Sequence, residues 1–476
     1  FKFKTDGTGI ITEHKARCVL RGDFMEKGVH FEETFSPCTR LETLRLVVIV
    51  SVNHGWPLIH ADVPHAYLHG KCEKLIFTTL PKYWNEFMGD DLGKDGDIVV
   101  LDKTLYGAPH AGRRWNFVID AFLRETLGFI TSPVEPSLYV HTLELTIICL
   151  YVDDLFITGP NSKHRTETLN ALRQRFNVRD DQQIKYALGI RFQHLNDGSI
   201  FLSQQAYAKE ICSFFPHNKN RITPLPTKEV PTSNDCPKDD NAKKEMEEYS
   251  YRPLIGKLLY LALGTRPDIA FAVTSLARFS NNPGKHHWFL LKHIVGYIHL
   301  TSDFGLHYIP TNKPMILHTA SDAAFHCTDL GRSWLGYCCF LNNSPWSWKS
   351  SITKSTPTSP PMAETTAAHA ALNTTLWGLQ LLKHLHTPSQ LPIPFHTDSQ
   401  TMMKIMYEKS ISSRSRHFPP KFFAICDQQL KGNISLIHIP TNELAVDALT
   451  KSLGPRKFRQ HRPSLGVSQL PSTNKH

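Results

Sequence analysis

No C-x-x-C pair occurs in this sequence, although 10 cysteines are spread over its 476 residues. Scattered thiols argue against a zinc ribbon or a disulfide framework and for a reducing compartment. Cys338 and Cys339 are adjacent, which is poor geometry for one metal, and packing is the ordinary use of such thiols. There is no apolar run of about 18 residues or more, so no membrane span is expected. The first residues are polar and basic and lack a signal-peptide core. They also lack an initiator Met, so the sequence reads as a piece of a longer chain. Acid is in deficit: 43 Asp and Glu against 53 Lys and Arg leave a net charge of +10 with His neutral. That balance suggests a polyanionic partner and says nothing about fold. A hydrophobic content of 41% is enough for real cores and excludes global disorder. At roughly 150 residues per domain the length suggests about three domains.

Strand and helix signals alternate over residues 1–205. The stretches 15–20 and 44–52 are apolar-rich. The strongest β signal is L-T-I-I-C-L-Y-V-D-D-L-F-I-T at 145–158, two apolar runs flanking a pair of acids, as in a hairpin with the acids at its turn. Residues 115–127 read as a helix with Trp115, Val118, Ile119, Phe122 and Leu123 on one face. Composition shifts over 216–248, where Pro216, Pro224, Pro226, Pro231 and Pro237 lie among polar residues, as in a linker or long surface loop. Residues 249–300 return to helix, with Ile269, Val273, Leu276 and Phe279 on a buried face and Pro267 at a helix start. From 304 to 453 strands (315–319, 334–341, 393–397, 434–439) alternate with a long helix at 363–385. There Ala368, Leu372, Leu376, Leu379 and Leu382 share a face. The tail from Ser452 is basic and is expected to fray. No internal repeat is present.

Two sets of acids carry the chemistry. Asp153 and Asp154 sit where the apolar hairpin turns, and adjacent carboxylates in an apolar setting are costly unless a cation lies between them. Magnesium suits such a site, with Asp62 in I-H-A-D-V-P-H-A-Y-L-H-G as a third ligand, and two such ions can drive nucleotidyl transfer. A solvated turn is the ordinary reading of a bare D-D. In the C-terminal part, Asp322 and Asp398 follow apolar strands, Glu364 opens the long helix, and Asp447 leads into a terminal helix. If these four converge they form a two-metal site for cutting a phosphodiester; helix caps are the plain alternative.

The surroundings of these acids form an ordered set. Y-V-D-D (151–154) is preceded by K-A-R-C-V-L-R-G-D (15–23), E-T-F-S-P (33–37), D-V-P-H-A-Y-L-H-G (62–70) and L-Y-G-A-P-H-A-G-R-R-W (105–115). It is followed by L-G-I (188–190), F-L-S-Q-Q-A-Y (201–207), Y-R-P-L-I-G-K-L-L-Y (251–260) and T-R-P-D-I-A-F-A-V (265–273). Together these resemble the polymerase of copia-type LTR retrotransposons, over nearly the whole chain. The later series of Asp, Glu, Asp, Asp, with T-D-S-Q and N-E-L-A-V-D, is similar to retroelement ribonuclease H.

The resemblance implies a multidomain α+β and α/β architecture. A right-hand polymerase with fingers, palm and thumb would be followed by a ribonuclease H-like domain built on a mixed five-stranded sheet. Its expected division is fingers and palm at 1–215, a linker and thumb or connection region at 216–310, the ribonuclease H-like domain at 311–453 and a flexible basic tail at 454–476. Asp62, Asp153 and Asp154 would hold the palm ions, and Asp322, Glu364, Asp398 and Asp447 those of the nuclease, with two Mg²⁺ per site and Mn²⁺ as a substitute. Tyr67 would be the steric gate against a ribose 2′-hydroxyl, and Lys15, Arg17 and Arg21 would offer charge-assisted contacts to a triphosphate. Implied partners are RNA and DNA template–primer, RNA–DNA hybrid, dNTPs and other Pol and Gag parts of the element, with no membrane. The implied location is the cytoplasm, in a virus-like particle, with the nucleus as a second one.

Departures from the family pattern are specific. Pro109 and His110 stand where Lys and Gln are usual, and His110 is the substitute donor to a nucleotide. Pro64 and His65 replace a commoner Lys-Asn beside Asp62. Pro360, Pro361 and Met362 precede Glu364 where Ser, Thr and Glu are usual. His417 matches a family His, but Pro419 and Pro420 follow it. His438 reads as a packed or surface side chain. No nucleocapsid knuckle, integrase zinc motif or protease D-[ST]-G is present. The leading expectation is a reverse transcriptase with ribonuclease H. The alternatives are a decayed fragment that only binds nucleic acid, and a ribonuclease H alone.

Overall fold

The computed structural model describes residues 2–5, 11–15, 17–216, 218–311, 313–408 and 420–471, which leaves His417 and Pro419 outside the described residues. The chain divides into two compact units, 1–39 with 58–183 and 40–57 with 184–476. Both are built on mixed α/β layers.

The first unit centres on a six-stranded sheet in the order Arg179–Asp181, Ile59–Asp62, Asp154–Thr158, Thr146–Tyr151, Glu135–His141, Ile130–Ser132, antiparallel throughout. Alternate strand residues share a face. Ile59, Ala61, Ile148, Leu150, Leu155 and Ile157 therefore turn together onto Trp115, Ile119, Leu169, Leu172 and Phe176 of two helices. Those helices are Ala111–Ala121, extended by a wide π-type turn over Phe122–Thr126, and Ser162–Phe176. Asn161 caps the second by accepting from the His164 N–H at 3.1 Å, and Asn177 ends it at φ 54°. With the odd positions packed on helices, His60, Asp62, Asp154 and Phe156 face the other way. The pattern of the sequence thus sets which side carries the acids.

The second unit has two five-stranded sheets and several helices. One sheet runs Ser344–Ile352, Trp334–Leu341, Leu317–Ala324, Ile393–Thr397, Ile434–His438, antiparallel across its first three strands and parallel across the rest. This is the mixed five-stranded sheet expected from the sequence. The helix Pro360–His384 packs on it, and Gly378 admits the Trp346 ring, which would lie 2.5 Å from an added Cβ. The other sheet runs Tyr186–Ala187, Ile190–His194, Ile200–Ser203, Phe304–Tyr308, Val467–Gln469. Helices Tyr251–Gly264, Ala270–Ala277 and Lys285–Leu300 bury the expected Ile269, Val273, Leu276 and Phe279. The helix Leu41–His54 belongs to this unit and is buried at every position from Thr43 to Val52. It matches the apolar run in the sequence, but no polar face was available to mark its side.

Three expectations are corrected. Over its described residues, which end at 471, the tail is ordered: Pro455–Ser464 is a helix and Val467–Gln469 a strand paired with Phe304 to Leu306. Its cations hid a buried stripe of Phe458, His461, Leu465 and Val467. Within the expected linker, Asp239 caps a helix over Asp240–Glu247. The strand Ser344–Ile352 was not legible because its serines alternate with buried tryptophans and mask the apolar run. No helix of the described residues is long and apolar enough to cross a membrane.

Candidate active sites

The first acid site is made by strand register. Asp62 ends its strand directly opposite Asp154, and Tyr151 pairs with Asp154 from the other side, so Val152 and Asp153 form the turn of a tight hairpin. Val152 sits at φ 58°, a left-handed conformation that costs a β-branched residue roughly 1–2 kcal/mol. Two bonds hold it: the Trp115 indole N–H donates to the Val152 carbonyl at 2.6 Å, and the Val63 N–H to the Asp153 carbonyl at 2.8 Å. Burial, then the nearby Asp154 and Asp62, push the Asp153 carboxyl above its usual range. Asp154 is engaged by His60 Nε2 at 2.6 Å. Sequence reading missed His60; its signal is its place two residues before Asp62, on the same strand face.

Around this set, Tyr67 is half-buried with its ring 5.1 Å from that of Tyr106. Burial and the charge of Asp153 raise its phenol pKa. The Arg17 guanidinium lies over the Tyr106 ring at 4.9 Å and within electrostatic reach of Asp153. The structure thus gathers Asp62, Asp153, Asp154, Tyr67 and Arg17. Arg21 is tied to exposed Asp23 through two bonds, at 2.9 and 2.7 Å. Lys15 ends the strand Ile11–Lys15, and its side chain lies outside the described atoms. His110 departs from expectation: it precedes the helix Ala111–Ala121, is 3% exposed, stacks near Phe31 and has no partner on either ring nitrogen. Burial lowers its pKa. In this conformation it is not offered to a nucleotide. The glycines of R-G-D and L-Y-G have a clear use. A Cβ on Gly22 would lie 2.0 Å from the Gly107 carbonyl oxygen, so only glycine lets these two segments run side by side.

The second site lies on the mixed sheet. Asp322 is on its strand opposite Gly336, Glu364 is one turn into the long helix, and Asp398 follows the strand Ile393–Thr397. One carboxylate oxygen from each lies within 4.8 Å of the others. Pro360 and Pro361 do not break the helix; they occupy its first positions, where N–H groups have no helical partner, and Ser359 caps it. Burial, Asp447 and Asp398 push Asp322 up to about 7 against the pull of Lys451 and Thr450. Burial and the charges of Asp322 and Asp398 raise Glu364 well above a normal carboxyl. Buried Glu364 Oε2 has no hydrogen-bond partner. Three crowded hard-oxygen donors with an orphaned oxygen fit a divalent cation such as magnesium.

Asp447 behaves differently. It is fully buried and neutralised by two lysines: Lys451 Nζ lies 2.7 Å from one oxygen, and Lys457 donates to the other. Lys451 also approaches Asp322 at 3.9 Å. The turn bearing Asp447, Ala445–Leu449, reaches the sheet because Gly336 has no side chain; a Cβ there would meet Leu449 Cβ at 2.9 Å. Neither lysine was singled out in the sequence, although L-T-K places Lys451 one helical turn from Asp447. Among the described residues Asp62, Asp153 and Asp154 do not form a group as close as Asp322, Glu364 and Asp398. His438 is exposed, paired with Thr397 beside Asp398.

The first site is thus a hairpin-borne acid pair facing a third Asp across an antiparallel sheet. Residues 1–231 match the family described as reverse transcriptase (RNA-dependent DNA polymerase). The chain as a whole is similar to copia-type Pol polyproteins. It is 29% identical over 473 residues to the retrovirus-related Pol polyprotein from transposon RE2 of Arabidopsis thaliana, covering 99% of this chain and 32% of that protein. It is 27% identical to that from transposon TNT 1-94 of Nicotiana tabacum, covering 98% and 35%. The chain therefore spans about a third of the length of these relatives. A crystal structure of LC11-RNase H1 in complex with RNA/DNA hybrid overlaps 28% of this chain and 93% of its own, at 16% identity and a TM-score of 0.23. That likeness is too slight to add to what the sheet order already shows.

Proposed function

We propose that this chain is an RNA-directed DNA polymerase with a C-terminal ribonuclease H, copying a retroelement RNA into DNA and hydrolysing the RNA strand of the hybrid. The observation that carries it is the hairpin turn of Asp153 and Asp154, held opposite Asp62 within a reverse transcriptase-family domain. Asp62, Asp153 and Asp154 would hold magnesium in one site, and Asp322, Glu364 and Asp398 in the other. Bound magnesium would activate the attacking oxygen and stabilise the leaving one. His60 orients Asp154, Trp115 fixes the turn, and Tyr67 supplies the ring that excludes a 2′-hydroxyl. Arg17 is the cation best placed for a triphosphate. Template–primer, hybrid and dNTPs are the substrates, held chiefly through phosphates in a salt-sensitive way. The fingers, palm and thumb division, association with Gag and Pol parts, and residence in a cytoplasmic particle belong to the same reading.

A nuclease-only chain is the second reading. It is favoured by the close gathering of Asp322, Glu364 and Asp398, by the engagement of Asp154 by His60 and by the burial of His110. Mg²⁺-dependent dNTP incorporation on poly(rA)/oligo(dT), with Asp153→Asn as control, separates the two. Incorporation abolished in the variant supports the polymerase. Hybrid cleavage without incorporation, itself abolished by Glu364→Gln, supports the nuclease alone.

A further inference from the structure

An open cavity of about 460 Å³ in the second unit lies away from the acids described above. One wall is the helix Lys285–Leu300, on which Phe289, Lys292 and His293 share a face at spacings of three and four. The other is the segment from Phe215 through Lys219 to Arg221. The walls are fixed to each other by backbone. The Arg221 N–H donates to the Gly296 carbonyl at 3.1 Å, and the Asn218 amide donates to the Lys292 carbonyl at 2.6 Å. A Cβ on Gly296 would lie 2.2 Å from the Lys219 carbonyl oxygen, so the close approach needs glycine there.

Among the described residues the lining carries three cations, Lys219, Arg221 and Lys292, and no acid. Glu229, the acid nearest His293, is engaged by His286 at 3.1 Å. Buried Arg221 Nε has no hydrogen-bond partner. His293 is held neutral by burial and by Arg221, with its Nε2 bonded to the Thr223 carbonyl at 3.1 Å. Phe289 is 50% exposed, with the His286 ring stacked near it at 6.2 Å between centroids. Cations beside a half-exposed aromatic ring are the chemistry that takes a single nucleic-acid strand, phosphate on the cations and base on the ring.

We infer that this cavity is a second nucleic-acid site, taking one unpaired, phosphorylated nucleotide of a single strand, with its phosphate between Lys219, Arg221 and Lys292 and its base against Phe289. The choice of strand as occupant rests on the polymerase reading; the cation and aromatic geometry does not.

The test uses the full chain in EDTA, so that no chemistry occurs, and a 5′-phosphorylated pentanucleotide containing 5-iodouridine. Irradiation is expected to crosslink it to the peptides holding Phe215 or Phe289. Lys219→Gln with Lys292→Gln, both exposed positions, is expected to weaken binding about tenfold and to flatten the salt dependence by one to two phosphate equivalents. Phe289→Ala should remove the crosslink with an unchanged thermal unfolding curve. Unaltered binding and salt slope in the double lysine variant would overturn the inference, as would crosslinks confined to other peptides. Inorganic phosphate competing as well as the oligonucleotide, mole for mole, would also overturn it. Incorporation on poly(rA)/oligo(dT) is read separately. Its absence with the crosslink intact counts against the polymerase alone, and its presence without the crosslink counts against this site alone.

Discussion

Val152 keeps a backbone conformation that its own side chain disfavours, and the Trp115 indole is the main external hold on it. Trp115→Phe keeps most of the packing and removes that bond. We expect a loss of about 1 kcal/mol in denaturant unfolding and a fall of roughly tenfold or more in dNTP incorporation, since small misplacements at a reacting centre are costly. Equal incorporation by the variant would show that the turn holds itself. At the nuclease acids, Lys451 is a tethered positive charge where a divalent cation would otherwise be drawn. Lys451→Met should bind Mn²⁺ about fivefold more tightly in calorimetry, the worth of one partly screened charge; unchanged affinity would mean that Lys451 does not compete. Two histidines link stability to pH. Burial lowers His293 and His318 to about 4. A base with a lowered folded pKa leaves stability intact above the unfolded value near 6.5, and the unfolded state takes up more protons below it. Stability should therefore fall as pH drops from about 6.5 to 4. His318→Gln should flatten that slope in pH-resolved thermal melts. The seven acids were legible because each lies inside a recognisable motif. His60, Lys451 and Lys457 were not, because their roles depend on which strand or turn faces them.

At the scale of elements, the helix Pro360–His384 shows how a departure in sequence can be absorbed. Two prolines looked like breakers, yet at the first helical positions they forfeit no helical bond, and Ser359 supplies the cap. Ser359→Ala should cost about 1 kcal/mol, and because Glu364 sits one turn further in, hybrid cleavage should drop more than incorporation does. Equal losses in both activities would tie the cap to global stability instead. The helix was legible from its small and apolar residues, although the buried face proved to run through Ala363, Ala367, Ala371, Thr375 and Gly378 more than through Leu376 and Leu379. The tail helix was not legible, because its stripe of Phe458, His461 and Leu465 is short and set among Arg456, Lys457, Arg459 and Arg462. In such a segment charge dominates composition while spacing decides the fold.

At the scale of the molecule, the order of the chain is not the order of its units. The path leaves the first unit after Thr39, returns at Leu58 and leaves again after Gln183. Sequence motifs mark linear stretches, so a division at 215 was the natural reading and a helix lent to the later unit was beyond it. Arg45 of that helix is buried and donates to the carbonyls of Trp346 at 2.8 Å, Leu263 at 2.7 Å and Gly264 at 3.1 Å. Arg45→Ala would strand the buried carbonyls of Trp346 and Gly264 and the part-buried one of Leu263. A loss of about 2–4 kcal/mol is expected, read as a lower unfolding midpoint of the second unit with hybrid cleavage reduced in parallel; a shift below about 0.5 kcal/mol would show that the helix docks by its apolar surface alone.

The same helix has a consequence for how the protein is made. Its Arg45 and Trp346 are 301 residues apart in sequence, which at about 5–20 residues per second is roughly 15–60 s of translation. For that interval the nascent chain carries a largely apolar helix whose docking strand is still unsynthesised. The helix is thus an element that a holdase would have to shield until the second unit is complete.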